Sequence, residues 1–182
     1  MRWAALFDDI EAQLEAAERM AGDAEVADRV RREQGGVTLA DRVRGQLGFV
    51  LRVETSGGGQ FAGELTHVGS EWLVLSKAPA EVIVPLTAIS LIEGLGRNVA
   101  VGTSRVREGL GLGSALRTLA RDRARVIVHR VEGSPRIEGI IDRVGKDFLE
   151  IAAVLPGELR RSASVSAVYA VPFAGIAAVS SG

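Results

Sequence analysis

Cysteine is absent from this chain, which excludes disulfides and thiolate metal sites and is compatible with a reducing compartment. Lysine is nearly absent as well: Lys77 and Lys146 are the only two, so arginine carries almost all the positive charge. The two histidines, His67 and His129, have no acidic cluster beside them, a poor arrangement for a metal site. No Ser/His/Asp set stands at a recognisable spacing, and no Gly-Lys-Ser/Thr marks a P-loop. Long apolar runs are missing too, since none approaches the roughly 20 residues that a bilayer-spanning helix needs. The N-terminus alternates apolar residues with acids such as Asp8 and Asp9. A signal peptide would show a basic start and an unbroken apolar stretch. The expectation is a cytoplasmic, non-enzymatic protein with no cofactor, no metal and no membrane association.

What is present fits one or two folded domains. The 182 residues are 47% hydrophobic and 25% charged, ordinary proportions for a chain that buries a core. The net charge of −1 conceals an uneven distribution. Residues 1–34 hold five Arg against nine Asp/Glu, whereas residues 105–130 hold seven Arg against Glu108 and Asp122.

Residues 2–33 read as a helix, because Trp3, Phe7, Ile10, Leu14, Ala17, Ala21 and Ala24 recur at spacings of four and three. Gly35-Gly36 is a plausible stop. A short helix is expected over Thr38 to Gln46, followed by strands near 48–54, 60–68, 71–77, 81–85 and 88–93. Ser56-Gly57-Gly58-Gly59 and Val68-Gly69-Ser70 supply turns, and Pro85 marks a corner before Ile89.

The same grammar returns after residue 124. Arg52-Val53-Glu54 is echoed by Arg130-Val131-Glu132. Gly63, Val68-Gly69, Glu71-Trp72-Leu73 and Leu75 are echoed by Gly139, Val144-Gly145, Asp147-Phe148-Leu149 and Ile151, all displaced by 76 positions. Val84-Pro85 and Ile89 are echoed by Val171-Pro172 and Ile176, displaced by 87, so 11 extra residues fall around Pro156 to Ser166. An ordered series of matches with one insertion indicates an internal duplication. The domain reading is an N-terminal helix over 1–36, a helix with five strands over 37–98, a Gly/Arg-rich linker and helix over 99–123, and a second strand unit over 124–182.

A helix followed by five short, bent strands is the order of a small closed β-barrel, in which closure protects the edges. With Phe61-Ala62-Gly63-Glu64-Leu65 and Ile137-Glu138-Gly139-Ile140-Ile141 in the second strands, the chain resembles the Sm-like (LSm/Hfq-type) family. PRC-type and other SH3-like barrels share this pattern. The resemblance implies a mainly β fold of two tandem five-stranded barrels, each preceded by a helix, behind the long N-terminal helix. It also implies ring assembly, in which three tandem chains would match a six-membered ring. By the same resemblance, RNA bases would be held by His67, Ser70, Glu71 and Thr87 in the first unit. Their counterparts in the second are Arg143, Lys146, Asp147 and Ala174. The sequence departs from the family at Ile92-Glu93-Gly94, where a carboxylate replaces an expected cation and removes a phosphate contact.

Outside the resemblance, Arg117, Arg121 and Arg125 lie four apart, on one face if a single helix carries all three. With Arg143 and Lys146 they form the candidate surface for RNA or single-stranded DNA, although no aromatic residues are interleaved for stacking. A solvated linker face is the simpler reading. Gly109-Leu110-Gly111-Leu112-Gly113-Ser114 has its third glycine one place early for a dinucleotide loop, and reads as a linker. The stripe Trp3, Phe7, Ile10 and Leu14 is the candidate partner-helix interface. Self-association or protein recognition by a scaffold is the leading functional expectation, with nucleic-acid binding as the alternative.

Overall fold

The computed structural model describes residues 35–100, 110–154 and 165–181. The chain divides into two units, Met1–Thr38 and Leu39–Gly182, and every described strand lies in the second. The helix expected over 2–33, with Trp3, Phe7, Ile10 and Leu14, falls outside the described residues, as do the linker residues 101–109 and most of the insertion.

The second unit begins with a short helix, Leu39–Arg44, that buries Val43 completely. Five strands follow: β1 (Val50–Thr55), β2 (Gln60–Val68), β3 (Trp72–Lys77), β4 (Ala80–Pro85) and β5 (Ile89–Glu93). Each lies within two residues of its expected place. A longer helix, Leu112–Arg121, precedes β6 (Arg125–Arg130), β7 (Ile137–Val144), β8 (Phe148–Val154), β9 (Val165–Pro172) and β10 (Ile176–Ser181). Leu112 and Leu116 bury the inner face of that helix, and Ala115 and Leu119 pack beside them, the three-four spacing of an amphipathic helix.

The two halves agree in detail. Strand order runs β5-β1-β2-β3-β4 in one and β10-β6-β7-β8-β9 in the other. The register of β2 on β3 slips between Leu65 and His67, and that of β7 on β8 slips between Ile141 and Arg143, 76 positions on. Such bulges bend a strand and fix its register. The Gly69 N–H donates to the Trp72 carbonyl at 2.8 Å, and the Gly145 N–H donates to that of Phe148 at the same distance. A Cβ on Gly63 would lie 2.6 Å from the Ser76 carbonyl oxygen, and one on Gly139 would strike that of Ala152. These glycines let neighbouring backbones approach where the sheet curls. In both halves, a Val-Pro strand end turns through a 3-10 turn, Leu86–Ala88 or Phe173–Gly175, into the last strand.

One sequence equivalence is corrected. Val53 pairs with Ile92, and Val128 pairs with Val179, the residue 87 positions after Ile92. Arg52-Val53-Glu54 therefore corresponds to Ile127-Val128-His129. Arg130 ends β6, and Val131-Glu132 lies in the turn after it.

The expectation of two separate five-stranded barrels is also overturned. The described strands form one ten-stranded antiparallel sheet in the order β5-β1-β2-β3-β4-β10-β6-β7-β8-β9. Its two halves meet where β4 pairs with β10, through Val179 opposite Ile83 and Ser180 opposite Val82. The Glu81 N–H adds a 3.0 Å hydrogen bond to the Ser181 hydroxyl. The physical reason is that the exposed backbone of β4 is satisfied by the other half and not by closure within its own. The cores are shared accordingly. Trp72 of the first half belongs to the cluster around Leu116, Leu149 and Ile151, while Ala178 of the second belongs to the cluster around Leu51, Leu65 and Leu73.

Candidate functional site

The expected cationic surface is dispersed by the fold. Arg117 and Arg121 are exposed on the long helix, but that helix ends at Arg121. Arg123 takes a left-handed conformation with φ of 51°, and Ala124 donates back to the Leu119 carbonyl at 3.2 Å. This termination separates Arg125 from the other two. Arg125 opens β6 and pairs with Glu138 at 2.8 Å. Arg143 pairs with Glu150 at 2.7 Å, and that hydrogen bond raises its pKa above the usual arginine value. Lys146 is exposed in the β7–β8 turn. Two of the five cations are thus partly neutralised, which weakens the case for a phosphate-binding face.

The loop residues implied by the resemblance are differently occupied in the two halves. In the first half the Ser70 hydroxyl and the Trp72 indole N–H both donate to the Leu110 carbonyl, at 3.3 and 2.8 Å. The linker is thereby tied over the β2–β3 turn, with His67, Glu71 and Thr87 exposed nearby. In the second half Lys146, Asp147 and Ala174 are exposed, and the Asp147 carbonyl accepts from the Phe173 N–H at 2.8 Å. Among the described residues no cluster of three or more His, Asp or Glu side chains could hold a metal ion. His67 and His129 lie on different strands, β2 and β6.

The sheet edges are more informative. Among the described residues, β5 and β9 end the sheet and no strand pairs with their outer sides. Comparing each with its counterpart isolates the effect of pairing. In β10, which has neighbours on both sides, Ile176, Ala177, Ala178 and Val179 are all buried. Their counterparts in β5 are Ile89, Ser90, Leu91 and Ile92, of which Ser90 and Leu91 are exposed and the other two half-buried. In β4, Pro85 is buried and Val82 and Ile83 are half-buried. In β9 the matching Pro172, Tyr169 and Ala170 are all exposed. Leu91, Val168 and Tyr169 remain 54%, 57% and 46% exposed.

Of the two edges, β9 has the less protection. β9 has eight residues and no charge, and its only proline is the last of them. β5 carries a single charged residue, Glu93, bonded at 3.1 Å to Arg52. Long, uncharged edge strands are templates for pairing with another chain.

No protein-family model matches this chain, and no curated protein matches its sequence. Among the described residues no helix is long and apolar enough to cross a membrane.

The expectation of ring assembly named no strands, because edge pairing uses backbone groups, which every residue carries. One signal for the internal junction was legible. Ile176-Ala177-Ala178-Val179 is apolar on both faces, the pattern of a strand covered on both sides.

Proposed function

We propose that this protein is a cytoplasmic, non-catalytic scaffold that self-associates by strand addition, β5 of one copy pairing with β9 of the next. The observation that carries this reading is the junction between β4 and β10. It is a working example, inside one chain, of the contact that β9 and β5 would make between chains. Carrying its register forward by 87 positions in β4 and back by 87 in β10 places Ile92 opposite Ala170 and Glu93 opposite Tyr169. The interface is heterologous, one edge meeting a different edge, and such contacts build closed rings or open filaments. The exposed Leu91, Val168 and Tyr169 supply apolar area at the same edges, and backbone hydrogen bonds supply the affinity. The cysteine-free composition suits the reducing compartment assigned.

Light scattering on the purified chain tests this. The wild type should exceed its 19.2 kDa chain mass in integral multiples, a closed trimer if the ring implied by the Sm-like resemblance forms. Tyr169→Glu sets a carboxylate opposite Glu93 and should reduce the mass to that of one chain, because like charges directly opposed across strands destabilise pairing. Adding Glu93→Lys should restore assembly. A wild type that stays at one chain mass across the concentration range would refute the proposal.

A further inference from the structure

A cavity of about 140 Å³ lies where the β1–β2 hairpin of the first half meets the loop after β6 in the second. His129, Arg130, Ser134 and Arg136 line it, together with the glycines at 57 and 133. The approach is close: a Cβ on Gly57 would lie 2.6 Å from the Arg130 carbonyl oxygen. Across the cavity wall the loop turns through Glu132 and Gly133, both with φ of 63°. This conformation brings Ser134 and Arg136 to the hairpin.

The charge in this cavity is one-sided. Arg130, Arg136 and His129 line it, and no Asp or Glu does. Among the described residues, ion pairs are made by Arg44, Arg52, Arg125 and Arg143, but by neither Arg130 nor Arg136. Glu132, two residues from Arg130, lines a neighbouring cavity instead, and Glu138, two residues from Arg136, is paired with Arg125. The Arg130 Nε donates to the Pro135 carbonyl at 2.9 Å, which fixes that side chain by one edge and leaves its terminal nitrogens. His129 is held by its Nε2 contact to the Ser180 hydroxyl at 3.1 Å and by the edge of Phe61, whose ring centre lies 5.1 Å away. Burial, and then the Arg136 charge, hold its pKa below the usual histidine value.

Like charges gathered in a recess without a counter-ion favour a bound anion. Arginine forks and a serine hydroxyl suit an oxygen-rich one. We infer that this cavity is a binding site for a phosphate group, carried either by the free ion or by a small phosphomonoester. The second cavity, about 200 Å³, shares Arg130 and Ser134 with the first and adds Ile137, Tyr169 and Pro172. Beside the phosphate position it offers Ile137, Tyr169 and Pro172 to the organic part of an ester, together with the Glu132 carboxylate, which suits a neutral or cationic group there and not a second anion. The phosphate position is independent of self-association, because it rests on the cation cluster at the junction of the halves, whereas the second cavity shares Tyr169 with the β9 edge.

The test is calorimetric titration of the full chain with inorganic phosphate and, separately, with adenosine monophosphate, each in chloride buffer of matched ionic strength. Saturable binding is expected. It should weaken about tenfold or more in Arg136→Gln, the loss typical of one charge-assisted contact. The imidazole resonance of His129 should titrate at higher pH once phosphate is bound, because an anion favours the protonated ring. The groups that bear on that ring are Arg130 and Arg136 in the cavity, Ser180 on β10 and Phe61 on β2, with no carboxylate among them. Tighter binding of the monophosphate assigns an ester, and equal binding assigns the free ion. Phosphate effects no greater than those of chloride, or binding equal in wild type and a folded Arg136→Gln, would overturn the inference.

Discussion

Leu73→Ala tests whether the two halves stand or fall together. Leu73 is fully buried in the first core, and its counterpart Leu149 is fully buried in the second. Truncating a leucine at such a site costs about 3–4 kcal/mol, the transfer term plus the cavity left behind. At this chain length a loss of that size lowers the melting temperature by about 6–16 °C. Because Trp72 packs in the second core and Ala178 in the first, the loss should be felt throughout the sheet. Urea unfolding followed by circular dichroism should show one transition, at a lower midpoint and with unchanged slope. Hydrogen exchange supplies the local reading: the slowest amides of β3 and β8 should lose the same free energy. Two transitions, or β8 amides that exchange as in the wild type, would show that the halves unfold separately and would refute the fused sheet.

Other substitutions probe individual features. Gly139→Ala forces a Cβ against the Ala152 carbonyl and should cost about 1–3 kcal/mol in a thermal melt. Gly175→Ala, whose nearest neighbour atom is 4.0 Å away, should be nearly neutral. The folded-state pKa of His129 lies below its unfolded value near 6.5, so protons favour the unfolded chain. Its contribution is complete above pH 6.5 and declines as pH falls from there toward the folded pKa, so in phosphate-free buffer His129→Gln should flatten that part of the stability profile. Single-stranded RNA should bind no tighter than the sequence-independent range of about 10⁻⁴–10⁻⁶ M at physiological salt. Submicromolar binding lost in Arg117→Glu with Arg121→Glu would restore the nucleic-acid reading.

The sequence made the strands legible because each half states its own turn chemistry. Gly58 takes a positive φ in the first hairpin, and the Val-Pro corners stand before Ile89 and Ile176. Gly63 and Gly139 also stood out as a matched pair, since close backbone approach tolerates no side chain there. The repetition of Arg-Val-Glu misled, because identity over three residues carries no information about register, which the bulges and pairing fix. The arginine row stops short of Arg125 for a related reason. Four-residue spacing aligns side chains only while the helix lasts, and the helix stops at Arg121. The cavity cations were hidden, because Arg130 and Arg136 become neighbours of Gly57 only through the β4–β10 junction.

Self-association through β5 and β9 is most directly tested by a cross-link, for which a chain without cysteine is a clean background. Residues directly opposed on antiparallel strands have Cα atoms about 4.5–5.5 Å apart, within the reach of a disulfide. Ile92→Cys with Ala170→Cys in one chain, oxidised under native conditions, should therefore give covalent multimers on a non-reducing gel. They should collapse to one band on reduction and be lost when Tyr169→Glu is added. A chain that remains monomeric under oxidation, with both thiols accessible, would contradict the account.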